Sequence, residues 1–185
     1  TLSLTEKAVR QFLKGVTQLS RQEEPVAKCS NVIENAQIIP KQLFYNPVEQ
    51  AQMDRLASLL DRDNFENICK RLESKGMRKG FAVLFSGGAG CGKTAGAYEL
   101  ARRTGRDVFA VDMSELKSKW VGDSEKIVRG VFTAYRQMCR SRERAPILLF
   151  NEADAIFAKR LENPQDSVDQ MMNAIQNICL EAIEN

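Results

Sequence analysis

Eight consecutive residues, Gly87-Gly88-Ala89-Gly90-Cys91-Gly92-Lys93-Thr94, have the types and spacing to hold a polyphosphate. Glycines let the backbone turn so that successive N–H groups point inward around an anion. A lysine directly after them can reach the β and γ phosphates, and the Thr94 hydroxyl can ligate Mg²⁺. The pattern works only between a strand and a helix. Both flanks read that way: Phe81-Ala82-Val83-Leu84-Phe85-Ser86 is an apolar run, and Thr94 to Arg103 has helical composition. A helix starting there adds the positive end of its dipole to the cradle. These flanks weigh against a plain glycine-rich link between strand and helix.

A second chemical set is Asn151-Glu152-Ala153-Asp154, which ends the apolar run Pro146-Ile147-Leu148-Leu149-Phe150. In an open parallel sheet, ligands sit beyond the carboxyl ends of the strands, so this segment and the glycine loop should converge. Acidic groups there can hold a metal's waters and orient or deprotonate an attacking water. The chain has no histidine, which excludes Ser-His-Asp and Cys-His machinery and any histidine base. It also leaves Zn²⁺ a poor ligand set. Glu152 is therefore the candidate for positioning water. The alternative is that Glu152 and Asp154 merely favour the N-terminal end of the next helix.

The elements that must carry these residues can be read in order. At 185 residues the chain is one domain, or one domain with an arm. A net charge of +3 is too near balance to argue for nucleic acid. No apolar stretch approaches the length of a membrane span. Five cysteines without a C-x-x-C pair suit a reducing cytoplasm. Thr1 is not an initiator methionine, so the chain reads as a fragment or a trimmed piece. Ser3-Leu4-Thr5-Glu6 has capping-box spacing, and apolar residues from Ala8 to Leu19 recur at helical intervals. Arg21 to Lys28, with Pro25, reads as a linker. Residues 1–40 are thus expected to be a helical arm, whose apolar face either folds back on the core or docks a partner.

Asn46-Pro47-Val48-Glu49 predicts a helix start, and a second helix is expected from Asp63 to Gly76. Just upstream, Phe44 and Tyr45 stand where a purine can stack, or where a hinge or core needs aromatics. Gly105 is a helix stop, Asp107 to Val111 a strand, and Asp123 or Ser124 the cap of a long helix. The run at 146–150 is apolar throughout, as a strand covered on both faces should be. Strands alternating with helices predict a parallel α/β sheet. Arg102, Arg103, Arg106, Arg140, Arg142 and Arg144 are either a nucleic-acid surface or solvated helix ends.

Three segments in this order resemble the AAA-type ATPases: the loop at 87–94, the stretch Ser118-Lys119-Trp120-Val121-Gly122-Asp123-Ser124-Glu125-Lys126, and the strand ending Asn151-Glu152-Ala153-Asp154-Ala155-Ile156. The resemblance covers about residues 43 to 185, so residues 41–185 are expected to form a parallel-sheet P-loop core of α/β class. It implies ATP and Mg²⁺ as cofactors, a homo-oligomeric ring, a protein substrate rather than nucleic acid, and no membrane. Gly87 to Thr94 would bind the nucleotide, with Lys93 and Thr94 on phosphate and metal. Glu152 would be the hydrolytic carboxylate. Trp120-Val121-Gly122 would match the loop that grips a threaded polypeptide; a buried structural tryptophan is the other reading.

The chain departs from that pattern in three places. Asn151 stands where the family usually has Asp, so it would meet the metal through water with one negative charge fewer, and hydrolysis should slow while binding survives. Cys91 stands where Thr is common and exposes a thiol to oxidation beside the phosphates. After a final amphipathic helix (Val168 to Ile183) the sequence ends, so the family's next strand, its arginine finger and its helical lid lie outside it. An arginine finger contributes about 10³–10⁵ in rate to phosphoryl transfer. Weak or no turnover is therefore expected of this chain alone. The strands at 81–86 and 146–151 are expected to border a slot with open edges. The alternative to a hydrolase is a nucleotide-dependent switch.

Overall fold

The computed structural model describes residues 30–77, 79–113, 124–155 and 167–184. Three strands form one sheet in the order β1 (Ser30–Ile33), β2 (Val108–Asp112), β3 (Ile147–Asn151). β2 and β3 are parallel, with Val108 opposite Ile147 and Asp112 opposite Asn151. β1 runs antiparallel to β2, Ile33 opposite Val108. The sheet is therefore mixed rather than purely parallel, because a strand that the sequence reading had inside the helical arm borders β2. The expected helix at 4–20 lies outside the described residues.

Helices cover both faces. α1 (Pro47–Leu60) starts on a capping box: the Asn46 side chain accepts from the Val48 and Glu49 amides, and Glu49 accepts from the Asn46 amide. α2 (Arg62–Ser74) follows, then α3 (Lys93–Thr104), α4 (Ser124–Ser141) and α5 (Ser167–Glu184). α3 stops at Gly105, whose φ of 63° is a left-handed conformation that glycine adopts without penalty.

Alternation along the strands sorts the core into two layers. Val108, Ala110, Ile147 and Leu149 pack with Ala101 and Tyr98 of α3 and with Ile38. Phe109, Val111, Leu148 and Phe150 face the other way, onto Ile127, Val128, Val131 and Phe132 of α4 and Ile175, Ile178 and Cys179 of α5. Burying each such aliphatic side chain contributes about 1.5–3 kcal/mol, so the α4–α5 layer is the larger stabilising block.

The strand expected at Phe81–Ser86 is not formed. These residues lead to the glycine loop as irregular backbone, with Phe81 41% and Leu84 82% exposed. A strand needs a hydrogen-bonding neighbour, and among the described residues β3 is paired with β2 alone. Phe81 instead meets the Phe65 ring edge-on, centroids 6.4 Å apart.

Candidate functional site

The glycine loop joins the irregular segment to α3. Gly87, Gly90 and Gly92 all have positive φ. At Gly87 a Cβ would lie 3.0 Å from the Cys91 sulfur, whereas at Gly90 there is space for one and the positive φ is what calls for glycine. Lys93, the first residue of α3, turns back over the loop. Its Nζ donates to the Gly87 carbonyl at 2.9 Å and the Gly88 carbonyl at 2.7 Å, and lies 3.8 Å from Cys91 Sγ. The ammonium is therefore held at the mouth of the cradle by backbone oxygens. The loop itself, including Ala89 and Cys91, is exposed.

Thr94 connects this loop to the end of β3. Its Oγ1 donates to Asn151 Oδ1 at 3.3 Å, across 57 positions of sequence. The convergence expected from strand direction is thus present as a direct contact. Glu152 comes next, exposed, at φ 53°, the one non-glycine residue with positive φ among those described. Holding an ordinary side chain there costs about 1–3 kcal/mol, and such strain gathers at functional positions. The three-residue 3-10 turn Ala153–Ala155 follows. Asp154 lies in the first turn of that short helix, where a carboxylate also favours the helix dipole, and the residues from 156 to 166 lie outside those described.

Of the two aromatics upstream, Phe44 is 85% exposed and has no aromatic ring partner among the described residues. Tyr45 is wedged against α3: a Cβ at Gly96 would stand 3.0 Å from its hydroxyl, and Met53 packs alongside. That hydroxyl is buried without a hydrogen-bond partner among the described residues. Burial raises its pKa, and the Glu99 carboxylate raises it further. Leu43 reaches the loop itself, 3.9 Å from a Cβ position at Gly92. Trp120, Val121 and Gly122 lie outside the described residues.

The arginines offered as a nucleic-acid surface are largely committed elsewhere. Arg102 pairs with Glu99 at 2.7 Å, Arg103 with Asp54 at 2.8 Å and Arg142 with Asp107 at 3.1 Å. Arg144 donates to the Thr104 carbonyl at 2.7 Å. Arg106 is only 3% exposed: it donates to Ala145 O at 2.6 Å and Leu60 O at 3.0 Å, and its guanidinium lies 4.5 Å over the Phe65 ring. Burial, then repulsion from Arg144, lowers its pKa. A guanidinium already bonded within the fold is poorly placed to neutralise phosphates.

Sequence reasoning missed Asn35. Its backbone amide donates to Asp107 Oδ1 at 2.8 Å, and its Nδ2 donates to Ala101 O at 2.9 Å, adding a side-chain donor to a carbonyl at the end of α3 that the Arg106 amide also reaches at 3.0 Å. A lone Asn next to a four-residue strand carries no local signal of such a role.

A glycine cradle at the start of a helix, resting on the carboxyl ends of parallel strands, defines a P-loop protein of the α/β class. Residues 83–184 match the family described as "ATPase family associated with various cellular activities (AAA)". The match spans more than half of the chain, which belongs to that family. The chain is 38% identical over 112 residues to the ATPase family gene 2 protein of Schizosaccharomyces pombe, a stretch that is 60% of this chain and 13% of that protein. It is 33% identical over 91 residues to Fidgetin-like protein 1 of Drosophila melanogaster, 49% of this chain and 16% of that one. With the ATPase family protein 2 homolog of Caenorhabditis elegans, identity is 41% over 78 residues, 42% of this chain and 10% of the relative. The chain thus spans about a tenth to a sixth of the length of these relatives. Membership implies ATP binding and hydrolysis in general terms. No helix among the described residues is long and apolar enough to cross a membrane.

Proposed function

We propose that this chain carries the Mg·ATP site of an AAA ATPase whose parent assembles as a homo-oligomeric ring in the cytoplasm and remodels a protein substrate. The Thr94–Asn151 hydrogen bond carries the reading, because it brings the phosphate loop and the acidic strand end to one place. The donor set fits the nucleotide: inward amides and an ammonium for the phosphates, then a hydroxyl and an amide oxygen on the metal side. Thr94 Oγ1 and, through water, Asn151 would hold Mg²⁺, which would supply positive charge against the charge developing on the phosphates. Lys93 exchanges its bonds to Gly87 and Gly88 for bonds to phosphate. Glu152 orients the attacking water and takes its proton. Trp120, Val121 and Gly122 serve as the loop that holds the substrate chain, an assignment that rests on the resemblance alone.

Asn151 favours a second reading, a nucleotide-dependent switch with slow hydrolysis, since a neutral amide stands where a carboxylate would attract the metal. Two variants separate these readings. Glu152→Gln should keep ATP binding within about threefold while abolishing turnover in an assembly-competent protein, because only the proton acceptor is lost. Asn151→Asp should raise turnover strongly if the parent is a slow switch, and little if the parent is already an efficient hydrolase. Turnover that survives Glu152→Gln would contradict the role given to that residue.

A further inference from the structure

We propose that Leu43 and Tyr45 form a strap that holds the glycine loop in its anion-binding shape, and that Gly96 is the seat on which the strap closes. The inference rests on the Mg·ATP reading above and deepens it, by naming positioning residues for that site.

Residues 43–46 are irregular backbone leading into α1. Phe44 is turned to solvent, whereas its neighbours on either side both meet α3. Leu43 Cδ2 lies 3.9 Å from where a Cβ at Gly92 would stand, and the Tyr45 hydroxyl lies 3.0 Å from where a Cβ at Gly96 would stand. Gly92 is the left-handed N-cap of α3, the point where loop becomes helix. Gly96 lies one turn further on, and its amide donates to the Gly92 carbonyl at 2.7 Å. The strap therefore touches the last glycine of the loop and the turn that this glycine starts. From Tyr45 the chain passes directly into the Asn46 cap of α1, and Met53 of that helix packs on the same spot, 3.8 Å from the Gly96 position.

Gly96 has no backbone reason to be glycine. It is buried within α3 and is absent from the glycines of positive φ. Inside a helix, glycine is less favourable than alanine. What stands in the way of a methyl group is the Tyr45 oxygen, and no other atom of that tyrosine comes within 4 Å of the position. The hydroxyl has no hydrogen-bond partner among the described residues, so packing locates the ring. Lys93 must leave the Gly87 and Gly88 carbonyls to reach phosphate, whereas the strap contacts stay in place when an anion enters. A loop already kept in its bound shape loses less conformational freedom on binding.

The test is the affinity of the full chain for fluorescent mant-ATP with Mg²⁺. Gly96→Ala should weaken binding about fivefold, the scale of ordering one or two side chains, because the methyl lifts Tyr45 and draws Leu43 off the loop. In a Tyr45→Phe background the same change should cost less than about twofold, since the space that the oxygen held then takes the methyl. Leu43→Ala should weaken binding about threefold, and Gly96→Ala should add little to it, because the link to the loop is already cut. Undiminished affinity in either single variant overturns the inference. So does a loss from Gly96→Ala that Tyr45→Phe leaves in full, which marks a structural role for the glycine. Should Gly96→Ala fail to fold, Leu43→Ala decides alone. These failures, with wild-type protein still binding, leave the Mg·ATP reading standing; wild-type protein that binds no Mg·ATP overturns that reading and the strap with it.

Discussion

The two ends of α3 are held in opposite ways. At the rear, bonds from distant segments converge: Asn35 on Ala101 O, Arg144 on Thr104 O, and the buried Arg106 tying the following turn to Leu60 and Ala145. A Cβ at Gly105 would meet Arg144 Nη1 at 2.5 Å, so a side chain there would push the guanidinium off the Thr104 carbonyl. At the front, Lys93 folds onto its own loop, Thr94 bonds Asn151 at 3.3 Å, and Leu43 and Tyr45 pack beside Gly92 and Gly96. Every helix leaves amides unsatisfied at its start and carbonyls at its end. Here side chains from distant segments meet the rear carbonyls, while the front amides border the glycine loop. A helix clamped at one end can present its other end as a fixed platform.

The largest expected effect tests the clamp. Arg106→Ala leaves the carbonyls of Leu60 and Ala145 without their donor, at about 1–3 kcal/mol each, and removes packing on Phe65. A loss of about 3–5 kcal/mol in urea unfolding is expected. A loss below about 1 kcal/mol would mean the rear is not an anchor. Next, Lys93→Ala should reduce ATP affinity about a hundredfold, as the loss of charge-assisted hydrogen bonds of about 1.5–3 kcal/mol implies. The same variant should unfold within about 0.5 kcal/mol of wild type, because the ammonium braces only its own loop.

Asn35→Ala should cost about 0.5–1.5 kcal/mol of stability by removing its bond to Ala101 O, a carbonyl that the Arg106 amide still reaches at 3.0 Å. If it lowers ATP affinity as well, rear and front are coupled and the comparison sharpens. The smallest effect is a pH dependence. Arg102 donates to Glu99 and holds its carboxyl below the ordinary range. Its contribution is therefore present above the ordinary carboxylate pKa and is lost as pH falls through that range and below it. Glu99→Gln should flatten the acid limb of the stability profile by less than about 1 kcal/mol, since Arg102 is largely solvated.

What could be read in advance follows the same division. The glycine loop at the front is local in sequence, as is the Asn46 cap of α1; at the rear, the Gly105 stop is the feature that announces itself within a few residues. The rest of the rear is built from non-local bonds that leave no pattern. Asn35 and Arg106 become important only through what the fold places beside them. The strand at 30–33 was hidden for the same reason, as Ser30-Asn31-Val32-Ile33 is short and half polar. The run at 81–86 failed in the opposite sense. It is as apolar as 146–150, yet composition does not supply a neighbour to pair with. The meeting of Thr94 and Asn151 was legible because it follows from strand direction alone.

The central claim is that the loop at Lys93 and the strand end at Asn151–Glu152 face one nucleotide. Paramagnetic broadening by Mn·ATP, followed at the backbone amides of the full chain, tests this most directly. The account predicts that Gly88, Thr94, Asn151 and Glu152 broaden together, and that Lys93→Ala abolishes all four effects. Broadening confined to the loop, with Asn151 and Glu152 unaffected, would contradict it.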